Sequence, residues 1–529
     1  MIRKITIAIL LLMPYTLYAQ HKSARAEEVI TIYNDIVRQL DVNYVDSLPY
    51  AQILETSVNQ MLRQIDPYTV YYPKDKERDL KMMTTGKYGG IGSIIQQREE
   101  KDEKGKSHTY TIISEPYEGM PAQKNGVWAG DRILEIDGKK MDGKSVSEVS
   151  NALRGVPHTI VKLKLQREGI DHPFEVEFER EEIKMSPVAY AGMVNDSIGY
   201  ISFTEFTEHS SVIFKNALDS LVHQMGARAL ILDLRDNGGG LVSEAVEIVN
   251  LFVDKGTSVV TTRGKVEKNA RNYITKNEIV YPHLPLVVLV NHNSASASEI
   301  VAGSLQDLHR ATIVGERTYG KGLVQSVFPI AHDGYIKLTT AKYYLPSGRC
   351  IQAIDYSKHK GSKELKKDTA GGILPDVIIE EDTMRKVDIC YSLYAKQMPF
   401  DFATRYRSQH SEIMPLESFE VTDEMLEAFC QFLDEKGFTY ETETGKYFAD
   451  VIRMAAHEDI DSATIAELNA FKTRLQPSYR EAIDRHKDDV KKLIGSEIVE
   501  RYYFQKGRIA YMLTSDNEIK RAAQVLIHE

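Results

Sequence analysis

Between residue 186 and about residue 380, strand and helix signals alternate, and this alternation constrains the fold more than any other feature of the chain. Ala229-Leu230-Ile231-Leu232-Asp233-Leu234 is a nearly continuous apolar run, as a strand buried on both faces must be. A glycine run and a helical segment from Val242 to Phe252 follow. A second apolar run, Leu286-Val287-Val288-Leu289-Val290, leads into a helix from about Ala295 to Asp307, and Ala311-Thr312-Ile313-Val314 resumes strand character. Strand, helix, strand implies βαβ units around a largely buried sheet.

The rest of the 529 residues leaves room for further domains, at roughly 100–200 residues each. Arg3 and Lys4 precede the mostly apolar run Ile5 to Met13, then Pro14 and the small Ala19, which reads as a secretory signal peptide over residues 1–19. The run is too short to span a bilayer, so an exported protein of the periplasm or cell envelope, with no integral membrane span after signal removal, is expected. Residues 24–85 carry helical periodicity, ended by Asp66-Pro67 and Pro73. Residues 86–182 hold short β-type runs and one helical candidate, Ser145 to Arg154, and Lys360 to Gly372 reads as an exposed loop after the α/β core of residues 186–380. Residues 383–529 are mostly helical, with Met425, Leu426, Phe429, Phe432 and Leu433 on one face before Gly437, and read as an accessory domain without chemistry of its own.

Composition removes several functions. A net charge of −10 is a poor start for a protein that must neutralise phosphates, so no nucleic-acid partner is expected. Three cysteines, Cys350, Cys390 and Cys430, allow at most one disulfide, and no zinc motif is present.

Three segments can carry chemistry. Asn293-Ser294-Ala295-Ser296-Ala297-Ser298-Glu299-Ile300 lies where a strand gives way to a helix, so it displays a hydroxyl at the sheet's edge beside free helical N–H groups; capping of the helix by Ser294 would explain the same residues without catalysis. Gly315-Glu316-Arg317-Thr318-Tyr319-Gly320-Lys321-Gly322 imitates a phosphate-binding loop but has Gly322 where the magnesium-binding hydroxyl should stand, which argues against nucleotide. Its other reading makes Lys321 a base with Gln325 on the same face. Asp233-Leu234-Arg235-Asp236-Asn237-Gly238-Gly239-Gly240 ends a strand and opens a helix, with glycines that let backbone approach a ligand.

Together the three segments resemble the carboxy-terminal processing peptidases, or tail-specific proteases, over about residues 30–380. That resemblance implies a multidomain α/β chain: a protease core of crotonase/Clp-protease-like fold, a small β-rich PDZ-like domain, and helical N- and C-terminal regions. It implies a serine endopeptidase in which Ser296 is the nucleophile and Lys321, 25 positions downstream, is the general base. Gln325 would orient the lysine, and the amides of Ala297 and Gly240 would form the oxyanion hole, with Gly239 a less favoured neighbour. No metal or organic cofactor is needed. The lysine must be neutral when it takes the serine proton. Moving its pKa from about 10.4 to about 7.5 requires roughly 4 kcal/mol of desolvation, for which Leu323, Val324 and Val327 are the nearby apolar candidates.

Tyr88-Gly89-Gly90-Ile91-Gly92 and Gly130-Asp131-Arg132-Ile133-Leu134-Glu135-Ile136-Asp137-Gly138 resemble a PDZ domain. Gly89, Gly90, Ile91 and Gly92 would bind the free C-terminus of a protein or peptide substrate, and Ile91, Ile94 and Ile95 suggest a pocket for an apolar last side chain. The partners implied are such tails, with room for a homo-oligomer or an adaptor. Two rivals stay open: a catalytically silent PDZ scaffold, and a His-dependent serine hydrolase using His292 or His309, although no G-x-S-x-G elbow is present.

Overall fold

A computed structural model describes residues 27–101, 105, 107–266, 270–356, 371–379 and 388–528. The signal segment read at residues 1–19, and all but the last two residues of the loop read at Lys360 to Gly372, lie outside the described residues.

The alternating core forms a six-stranded sheet in the order β1 (Val188–Met193), β2 (Ile198–Phe203), β3 (Ala229–Asp233), β4 (Leu286–Val290), β5 (Thr312–Gly315) and β6 (Val377–Ile378). β1 and β2 are antiparallel, and every later neighbouring pair is parallel. Each residue of β3 and β4 is buried, because both faces of the sheet are covered. Side chains alternate between the faces. Leu230, Leu232, Leu286, Val288 and Val290 meet α1 (Ser210–His223), α2 (Val242–Asn250) and α3 (Ala297–Asp307), whereas Ile231, Val287 and Leu289 turn to the opposite side.

The opposite side is covered by a helix the sequence reading assigned to an accessory region. Helix Asn517–His528 lays Ile519, Ala522, Ala523 and Leu526 against Ile231, Val287 and Leu289. The boundary placed near residue 383 therefore parts the sheet from half of its cover. Other C-terminal helices, though not Glu443–His457 or Ser462–Leu475, build a core of their own, in which Leu426, Phe429, Phe432 and Leu433 of helix Asp423–Glu435 are buried as their spacing predicts. Among the described residues no helix is long and apolar enough to cross a membrane.

The β-rich stretch forms a sheet in the order Ser93–Lys101, Ser107–Pro116, Arg132–Ile136, Ile160–Gln166, Phe174–Glu179, which leaves Ser93–Lys101 at one edge. Helix Val146–Leu153 starts on a capping box: Glu148 N donates to Ser145 Oγ at 3.3 Å, and Ser145 N donates to Glu148 Oε2 at 2.9 Å. Separately, helices over residues 27–43 and Tyr50–Arg63, strand Val70–Tyr72 and residues 327–338 form another unit, in which Val70, Tyr71 and Tyr72 pair with Lys337, Ile336 and Tyr335.

The β-rich domain is tied to the C-terminal helices by ion pairs, Arg98 with Asp401 at 3.0 Å and Lys506 with Glu118 at 3.1 Å, and by the Arg407 guanidinium 4.6 Å from the Trp128 ring centre. Between them lies a cavity of about 540 Å³ lined in part by Glu115 and Glu500. Burial, reinforced by the charge of Glu500, pushes the Glu115 carboxyl up to about 7 from an ordinary 4.5. A carboxyl that binds its proton more tightly when folded leaves the native state holding more protons than the unfolded chain, so this group's effect is to lower stability as the pH rises from about 4.5 to about 7. Glu115→Gln should remove that loss: melting temperatures taken from about pH 4 to about pH 8 should fall less steeply in the variant than in the parent, with the largest gain at the alkaline end.

Candidate active site

Ser296 sits immediately before α3 with φ 59° and ψ −113°, a left-handed backbone that a residue with a Cβ adopts only under constraint. Its neighbours supply that constraint. Ser294 Oγ donates to Leu234 O at 2.7 Å and accepts from Asn291 N at 2.9 Å. Ser298 Oγ donates to Asn237 O at 2.9 Å, and Ala295 N donates to the same carbonyl at 3.0 Å. The outer two serines thus stitch the turn to the loop that leaves β3, and the capping position offered to Ser294 belongs to Ser296 instead.

The loop after β3 comes against the serine turn because it is glycine there. Gly239 has φ 97°, and a Cβ at this position would lie 2.8 Å from both Ala297 N and Ser296 Cβ. At Gly240, φ 148°, a Cβ would lie 2.3 Å from Phe206 O. Gly239 N is already used, donating to Asn237 Oδ1 at 2.9 Å. Ala297 N opens α3 and is one of the amides that a helix leaves without an intrahelical acceptor.

The lysine loop is joined to the serine turn by one buried carboxylate. Glu299 Oε2 accepts from Ser296 N and from Lys321 N, each at 2.9 Å, while Oε1 accepts from Gly320 N at 2.7 Å and from Thr318 Oγ1 at 2.6 Å. Both proposed catalytic residues therefore donate their amides to a single oxygen. Burial raises the Glu299 pKa, and the Thr318 hydroxyl with the amides of Ser296, Lys321 and Gly320 opposes the rise. Lys321 is half-buried; Leu323 is buried and Val324 packs on the core, while Val327 is 42% exposed. Gln325 Nε2 donates to Leu323 O at 3.3 Å and to Thr339 Oγ1 at 3.4 Å.

Two participants were not assigned roles from sequence. Glu299 is the first, although it stands three residues after Ser296 in the Ser-x-x-Glu spacing of a capping box. Tyr343 is the second: its hydroxyl lies 3.4 Å from Ser296 Oγ, and burial pushes its pKa up to about 12, so the phenol stays protonated at neutral pH. The two candidate histidines are placed otherwise. His292 Nδ1 pairs with Glu316 Oε2 at 2.7 Å on an exposed loop, and His309 follows the far end of α3, about 1.5 Å per residue away along an eleven-residue helix.

In the β-rich domain, Gly89 and Gly90 belong to strand Lys87–Gly90 and pair with Glu182 and Glu181. Ile91 is buried in the domain core, Ile95 packs partly against it, and Ile94 is 43% exposed. Gly92 follows with a left-handed φ of 71°.

Residues 197–377 match peptidase family S41, residues 112–167 match a PDZ domain, and residues 389–526 match a domain described as "Probable PDZ-protease, C-terminal helical domain". The carboxy-terminal-processing protease of Bartonella bacilliformis is 34% identical over 357 residues, covering 67% of this chain and 76% of the relative. Carboxy-terminal processing protease CtpA of Bacillus subtilis is 32% identical over 339 residues, covering 64% and 69%. A solved photosystem II D1 C-terminal processing protease has 28% identity, covers 64% of this chain and 84% of its own, and superposes with a TM-score of 0.37. Fold and site define a serine peptidase that carries a PDZ domain. The chain belongs to the carboxy-terminal processing proteases of peptidase family S41.

Glu299→Gln keeps one acceptor oxygen but points an amide donor at groups that are themselves donors. The variant should melt lower by an amount equivalent to about 2–3 kcal/mol and should lose at least about tenfold in kcat, measured by calorimetry and by peptide hydrolysis.

Proposed function

We propose that this protein is an exported serine endopeptidase that takes the C-terminal tails of envelope proteins through its PDZ domain and hydrolyses them with a Ser296–Lys321 dyad. The observation that carries the reading is the shared Glu299 oxygen, which holds the serine turn and the lysine loop side by side. Lys321 takes the hydroxyl proton as Ser296 Oγ attacks the peptide carbonyl, and Gln325 orients the amine. The developing oxyanion is received by the amides of Gly240 and Ala297, and Tyr343 holds the serine hydroxyl before attack. Protonated Lys321 then donates to the leaving amine; water, giving a proton to the neutral lysine, attacks the acyl-enzyme ester, and the bond to Ser296 Oγ breaks as Oγ regains its proton and the new C-terminus leaves.

The substrate tail adds as a strand to the exposed edge of Ser93–Lys101, beside helix Val146–Leu153, with its carboxylate at the Gly89–Gly92 segment and its last apolar side chain near Ile94. Export is supported by Arg3, Lys4 and the apolar run that follows them.

A peptide with a free apolar C-terminus should be cut by the mature protein, and both Ser296→Ala and Lys321→Ala should lower kcat about a thousandfold or more. Full activity in Lys321→Ala would sink the dyad. Capping the same peptide as its C-terminal amide should raise KM; equal KM values for the two peptides would remove carboxylate capture from the account.

A further inference from the structure

Arg235 lies two residues beyond β3 and five before Gly240, with only 18% of its side chain exposed. Its Nε donates to both oxygens of Asp233 at 3.0 Å and its Nη2 to Asp233 Oδ2 at 2.6 Å. Tyr200 Oη donates to the same Oδ2 at 2.7 Å, and Arg235 N donates to Asp233 Oδ1 at 2.9 Å. One edge of the guanidinium is thus occupied by the strand it leaves.

The remaining edge reaches a distant part of the chain. Nη1 donates to Asp516 Oδ2 at 2.9 Å and to the Glu518 carboxylate. Asp516 has its other oxygen on the helix Asn517–His528, accepting from Glu518 N at 2.8 Å and Ile519 N at 3.0 Å. A single aspartate therefore caps the helix and grips the arginine, and the helix is itself seated on the sheet by Ile519, Ala522, Ala523 and Leu526. A planar guanidinium bound on both edges by carboxylates has little freedom left, and neither does the backbone that carries it.

That backbone leads straight into the turn set against Ser296. Asp236, φ 58°, accepts from the side-chain amides of Asn291 at 2.9 Å and Asn293 at 2.8 Å, and Asn237 receives the bonds from Ala295 and Ser298. We infer that Asp516 and Glu518 are positioning residues for hydrolysis, fixing Arg235 and through it the course of the turn that presents the Gly240 amide to the oxyanion. The inference rests on the proposed serine nucleophile and its oxyanion hole. It makes the last helix part of the active-site scaffold.

The test uses the mature full-length protein with Asp516→Asn, Glu518→Gln and the double variant. Asparagine caps helices as well as aspartate, so Asp516→Asn keeps the helix start while removing charge from Arg235. Hydrolysis of a free-tailed peptide is measured together with affinity for a peptide boronic acid, whose tetrahedral adduct on the serine places an oxygen at the oxyanion position. The double variant should lose at least about tenfold in kcat, with KM within about twofold, and boronate affinity should fall in parallel with kcat. Unchanged kcat would overturn the inference, as would a fall in kcat with boronate affinity intact. Ser296→Ala is assayed beside them. If it is inactive while the double variant is fully active, this inference fails and the serine nucleophile stands; if it remains active, the nucleophile assignment fails first.

Discussion

The Glu299 carboxylate is the interaction on which the catalytic region depends. An ionised carboxylate withdrawn from water carries an effective penalty of several kcal/mol, and only good hydrogen bonds offset it. Glu299 receives four, from two segments more than twenty residues apart, each to a charged acceptor and so worth about 1.5–3 kcal/mol. The penalty and its offset are of similar size, so the group contributes geometry more than stability. It also helps to hold the left-handed backbone of Ser296, whose amide it receives.

A second layer of polar stitching does for the glycine turn what Glu299 does for the lysine loop. Ser294, Ser298 and Asn237 satisfy backbone groups of two adjacent segments, and all three side chains are buried. Small hydroxyls suit this task because they bond the backbone without occupying the space in which the segments approach. The alternation of serine and alanine around Ser296 is thus explained by packing on both sides of one functional hydroxyl.

What could be read from sequence divides along physical lines. The βαβ pattern and the strand-to-helix turns were legible because each is a local signal, whereas Ser296 and Lys321 stood out from a capping serine and a surface lysine only through the family resemblance. Ile519, Ala522, Ala523 and Leu526 recur at helical spacing, so their helix was legible too, but nothing local says which surface an apolar stripe will cover. Tyr343 reaches Ser296 from a strand 47 residues away, and the partners of Arg235 lie 281 and 283 residues downstream. Gly89 and Gly90 belong to a β-type run, but their pairing with Glu182 and Glu181, more than ninety residues on, is a property of the assembled domain.

The two covers of the central sheet come from widely separated parts of the chain, and this orders its assembly. α1, α2 and α3 can close over their side as soon as the core has been synthesised, whereas the face bearing Ile231, Val287 and Leu289 stays bare until residues 513–526 arrive. An exposed apolar sheet is a substrate for chaperones and a nucleus for aggregation, and contacts spanning nearly 300 residues close slowly. The same last helix carries the carboxylates that clasp Arg235, so closing the sheet and fixing the turn that leaves β3 are one event, the last in the chain's assembly.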